Sequence, residues 1–158
     1  MIRLSTIESR RLAVFLSAVA LLAGGGMYLF FRPGEFVFHD WLSAIGLDRW
    51  LTFAGPYTRS PAGSAPDWIL YSLPSGLWAF AYALIITGIW WNSRSRLKYF
   101  WIATIPILVM GFELLQGAGI LRGTFSFTDL VLGMTGLGLG MVIGYSFSKK
   151  KYHEKRIE

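Results

Sequence analysis

No cysteine occurs anywhere in the chain, so disulfides and thiolate chemistry are excluded and the redox compartment is left open. Charge is also scarce. Only 15% of residues are charged, against about 25% in an ordinary soluble domain. Histidine is limited to His39 and His153, and neither has a second histidine or paired acid at metal-ligand spacing. No metal and no cofactor is therefore expected. No phosphate loop, no G-x-S-x-G elbow and no H-E-x-x-H helix is present. These gaps remove the common hydrolases and nucleotide enzymes. What fills the chain instead is apolar: 54% hydrophobic and 16% aromatic residues over 158 positions, with a mean hydropathy of +0.48.

Four apolar runs approach the roughly 20 residues that a bilayer demands. They cover about residues 12–31, 75–91, 99–121 and 130–147. The expected fold is an all-α membrane protein, a four-helix transmembrane bundle forming one domain over residues 1–158. Arg3, Arg10 and Arg11 precede the first run, as they would precede a signal peptide. The cleavage-like triplet Ala18-Val19-Ala20 lies in mid-run, so a retained span is the expectation.

The formal charge of +6 does not point to nucleic acid, because its distribution is that of a membrane protein. Arg3, Arg10, Arg11, Arg94, Arg96, Lys98, Lys149, Lys150, Lys151, Lys155 and Arg156 lie on one side of the four runs. Arg32, Arg49, Arg59 and Arg122 lie on the other. The positive-inside bias places both termini in the cytoplasm. The connector over residues 32–73 then faces outward. Within it, Asp40 followed by Trp41, Leu42 and Ile45 predicts a short interfacial helix, with a solvated loop as the other reading.

A polar string interrupts the apolar pattern: Glu113-x-x-Gln116, Arg122, then Ser126-x-x-Asp129. An acid at membrane depth costs roughly 2.5–3.5 kcal/mol on insertion scales, so it normally has a partner or a function. Glu113 stands about 21 Å along its helix from Tyr99, in the outer half of the membrane. Gln116 shares its face at i, i+3 spacing. Glu113, Gln116, Arg122 and Asp129 are the candidate ligand-binding residues, and Glu113 and Asp129 the candidate catalytic pair. Structural readings stand beside these. Ser126-x-x-Asp129 has capping-box spacing, Glu113 with Arg122 makes a plausible ion pair, and Gln116 suits an interhelical hydrogen bond. Gly133, Gly136, Gly140 and Gly144 follow as a small-residue stripe suited to close helix contact. With a short connector before it, the stripe predicts that spans three and four form a close antiparallel pair.

Glu113-x-x-Gln116, Arg122, Asp129, Gly136 and Gly140 together resemble the C-terminal signature of the VanZ-like family of bacterial membrane proteins. Leu73-Pro74-Ser75-Gly76-Leu77-Trp78 also looks like the Leu-Pro start of a family span. The resemblance covers about residues 67–146. Two positions depart from it. Gly133 stands where many members carry Asn, and a His that often opens the Leu-Pro span is absent. The founding member is linked to resistance against the glycopeptide teicoplanin. The resemblance therefore implies a cell-envelope protein binding a lipid or cell-wall precursor head group at the outer leaflet, or supporting another membrane protein. An intramembrane enzyme on a lipid-linked substrate, with Glu113 and Asp129 as acid and base, is the alternative. The lack of a recognised nucleophile favours binding over turnover.

Overall fold

A computed structural model of the chain describes residues 6–31, 44, 46, 66–120 and 125–154. Its elements are all helical: α1 (Thr6–Phe31), α2 (Asp67–Tyr71), α3 (Leu73–Trp90), α4 (Leu97–Gly117) and α5 (Phe127–Glu154). Four stretches are long and apolar enough to cross a membrane: Glu8–Tyr28, Leu73–Trp90, Leu97–Gly117 and Phe127–Ser148. The chain is thus a multi-pass, all-α membrane protein. The interfacial helix expected at Asp40 to Ile45 lies, apart from Ala44, outside the described residues.

The centre of the bundle is a pair of parallel helices, α3 and α5, held together by backbone rather than by large side chains. A Cβ built on Gly140 would stand 2.9 Å from the Ala83 Cβ and 3.0 Å from the Leu84 nitrogen. One built on Gly144 would stand 2.8 Å from the Leu84 carbonyl oxygen, and one on Gly136 would collide with the Gly76 carbonyl oxygen. The partner on α3 advances by four residues each time the glycine does. Carbonyls of Gly76, Phe80 and Leu84 therefore sit where side chains of α5 would begin. Such approaches recur at helix interfaces as weak Cα–H···O contacts, worth about 0.5–1 kcal/mol each. At the end of this seam the Asn92 amide donates to the Ser148 carbonyl at 2.6 Å.

This corrects one expectation. The glycine stripe packs on the second span, not chiefly on the third. Only Gly133 faces α4, where its Cβ would meet Val109 Cγ1 at 3.1 Å. Sequence neighbours joined by a short connector do touch, but Gly76, Ala79 and Ala83 give α3 the matching small face, and α4 offers none.

Helix α1 runs antiparallel to α3 and presents a small face of its own: Ser9, Ala13, Ser17, Ala20 and Gly24 are buried. Ser17 Oγ donates to the Ala81 carbonyl at 3.2 Å. Gly24 leaves room for the Trp78 indole, whose ring lies 5.4 Å from that of Tyr28. Helix α4 flanks the pair on other residues. Its contact face is Trp101, Ile105, Val109 and Glu113, spaced by four. Trp101 stacks on Trp90 at 5.9 Å, and Tyr82 Oη lies 2.7 Å from Thr104 Oγ1. Ile105 is its one fully buried residue.

The third span was expected to run from 99 to about 121. Helix α4 ends instead at Gly117. Gly119 adopts φ +71, a conformation that favours glycine. The Ile120 N–H then bonds the Leu115 carbonyl at 2.9 Å, and the Gly119 N–H bonds the Gln116 carbonyl at 3.0 Å. That pattern is a Schellman stop. It turns the chain back four residues sooner than hydropathy suggests.

Candidate functional site

The end of the bundle where α4 stops and α5 starts is built from three local decisions. The Schellman turn fixes the last carbonyls of α4. Phe125 then folds back over Gly117, its Cδ2 standing 3.3 Å from where a Cβ would be. Ser126 then starts α5. Its Oγ accepts the Asp129 N–H at 3.2 Å, and its carbonyl accepts the Leu130 N–H at 3.1 Å.

In a capping box, the acid at the third helical position reaches back to the N–H of the cap residue. Here that acid is Asp129, one methylene shorter than glutamate, and the Ser126 N–H is taken by another residue. Glu113 Oε2 accepts it at 3.1 Å, thirteen residues earlier on a different helix. The cap is thus split between two spans. One consequence is energetic, since a hydrogen bond to a charged group is worth about 1.5–3 kcal/mol. Another is electrostatic, since the Glu113 carboxylate meets the positive end of the α5 dipole. A third is positional, since Glu113 fixes the spacing of α4 and α5 at this end.

The structure therefore brings Glu113, Ser126 and Asp129 together through one backbone N–H and one hydroxyl. Gln116 follows Glu113 by three residues, and Glu113, Gln116 and Asp129 are all half-buried. Glu113 has its partner in Ser126. Among the described residues, neither the Gln116 amide nor the Asp129 carboxylate makes a side-chain hydrogen bond. Arg122, expected to pair with Glu113 or with a ligand, lies outside the described residues.

Sequence reasoning treated Ser126 only as a helix start and missed it as the ligand of Glu113. A signal was present. A Ser-x-x-Asp start leaves its cap N–H without the long acid that normally serves it, and Glu113 was the nearest unpaired glutamate. Chemically the arrangement offers one acid engaged in structure and, among the described residues, one acid and one amide without a side-chain hydrogen bond. No protein-family model matches the chain, and no curated protein or solved structure matches it either.

Proposed function

We propose that this chain is a VanZ-like protein of the bacterial cytoplasmic membrane. Its Glu113 end faces outward and binds the head group of a lipid or cell-wall precursor, and so changes glycopeptide susceptibility. The observation that carries this reading is the split cap. It ties Glu113 to the start of α5, where Asp129 stands, with Gln116 three residues beyond Glu113 on α4; neither Asp129 nor Gln116 has a side-chain hydrogen-bond partner among the described residues. The residues that resemble the family signature supply the rest. Asp129 and Gln116 would bind amine or hydroxyl groups, and Arg122 would meet a phosphate or carboxylate as a fork of donors.

Orientation is testable by itself. The Lys and Arg asymmetry supports cytoplasmic termini, so a reporter fused after Glu158 should be active inside the cell. Activity on the far side would reverse the proposed site. Binding is tested on purified protein in lipid discs, by native mass spectrometry with phosphatidylglycerol and with a lipid-linked peptidoglycan precursor. Retention of one of them should fall about tenfold in Asp129→Asn and Arg122→Gln at unchanged membrane abundance, the loss of one charge-assisted hydrogen bond. Equal retention by all three proteins would overturn the reading. Conversion of the bound lipid to a product would move it to the intramembrane enzyme, with Glu113 and Asp129 as acid and base.

A further inference from the structure

Helix α4 is unevenly held. Up to Ile105 it is anchored by the Trp90–Trp101 stack, the Tyr82–Thr104 hydrogen bond and the buried Ile105 side chain. Pro106 follows at once, inside the helix. Having no N–H, it leaves the Ile102 carbonyl without its helical donor, and proline is the commonest cause of a sharp helix kink. Two residues earlier Thr104 Oγ1 donates back to the Trp101 carbonyl at 2.6 Å, a bond that also tends to bend helices. Beyond Pro106 the helix has little to hold it. Ile107, Leu108, Phe112, Leu114 and Leu115 are exposed, and a Cβ built on Gly111 would meet nothing within 4 Å. This stretch is held by Val109, which packs on the core cluster and against Gly133, by Phe125 against Gly117, and by the Glu113–Ser126 hydrogen bond.

The geometry points to a hinged flap: residues 107–117 pivot at Pro106, and the Glu113 carboxylate on the Ser126 N–H is the latch that holds them on α5. The arm is about 16 Å long at the helical rise of 1.5 Å per residue. A kink change of about 20° moves its tip by about 5 Å. That displacement draws the Gln116 end of α4 away from the start of α5 and opens the polar end sideways, toward lipid. Sideways access suits a ligand whose tails stay in the bilayer. The purpose of the motion rests on the head-group reading. The motion itself does not, and it is measured without any ligand.

The absence of cysteine makes site-specific spin labelling direct. One label pair is placed on Leu114→Cys and Val131→Cys, across the flap. A control pair is placed on Phe100→Cys and Val142→Cys, across the anchored half. All four positions are exposed. Electron–electron distances are measured in lipid discs. In Glu113→Ala the flap pair should gain a component about 5 Å longer while the control pair keeps its distance. Glu113→Gln, whose amide oxygen still accepts, should keep the short distance. Adding Pro106→Ala to Glu113→Ala restores the missing N–H and should remove the longer component. An unchanged flap pair in Glu113→Ala, equal shifts in both pairs, or a longer component that survives Pro106→Ala would each overturn the hinge.

Discussion

A Gly136→Leu chain should accumulate in the membrane at about a tenth of the wild-type level or less. Destabilisation by 1–2 kcal/mol already changes abundance several-fold, and here it should exceed that. The Cβ would begin on the Gly76 carbonyl oxygen and 2.9 Å from its carbonyl carbon. These are backbone atoms, so no rotamer change relieves the clash. Separating α3 from α5 there would also break the approaches at Gly140 and Gly144. The expected cost is about 3 kcal/mol or more, the upper end for overpacking. Gly140→Leu should behave alike. Leu139→Phe is the control: Leu139 is 55% exposed, faces away from the seam, and should change stability by less than about 0.5 kcal/mol. Immunoblots of membrane fractions and thermal unfolding in detergent read both effects. Equal tolerance of the three changes would remove the seam as the core of the bundle.

The second large effect is expected at Glu113, and the side chain chosen decides what is learned. Glu113→Ala removes the acceptor of the Ser126 N–H and should destabilise by about 1.5–3 kcal/mol. Glu113→Gln keeps an acceptor oxygen and discards the charge. If Glu113 serves the fold alone, Gln should restore abundance and, with it, the glycopeptide phenotype that the proposed function expects. If its charge also serves a ligand, Gln should restore abundance and leave the phenotype at the level of a deletion. Ser126→Ala removes a different bond, the one from the Asp129 N–H, at about 1 kcal/mol. Because Glu113 binds the backbone of residue 126 and not its hydroxyl, the hydroxyl loss should still be felt in a Glu113→Gln background. Wild-type abundance and phenotype in all of these chains would end the case for this end of the bundle as a site.

How much was legible in advance follows from the kind of signal each element carries. Four long apolar helices were readable because span length and hydropathy are local properties. The last helix began at Phe127 rather than about 130 because its polar first turn, Thr128 and Asp129, is invisible to hydropathy but capped by Ser126. The stop of α4 was hidden for a similar reason: Gly119 acts through φ, while Ile120 and Leu121 keep the apolar run going. The partner of the glycine stripe was a different problem. Spacing by four states that a helix has a small face, and nothing in that helix states which other face it meets. Only the matching Gly76, Ala79 and Ala83 on α3 decide it. At the candidate site, the i, i+3 relation of Glu113 and Gln116 and the short return to Asp129 were readable. The donor to Glu113 was marked only indirectly, because a backbone N–H is not itself a side chain and shows only through the short acid of the Ser126-x-x-Asp129 start.

The parallel α3–α5 seam also sets a timetable for biogenesis. Gly76 and Gly136 are made 60 residues apart, which at ordinary translation speeds is about 3–12 s. During that interval α1 can already dock on α3 through Ser17 and Gly24, and α4 can cross behind it. The other face of α3, with the carbonyls of Gly76, Phe80 and Leu84, has no helix to lie against. While only three spans have been made, that face of α3 still lacks its partner. Of the four spans α5 is made last, so a chain stopped before residue 127 can hold three spans yet lacks the α3–α5 seam.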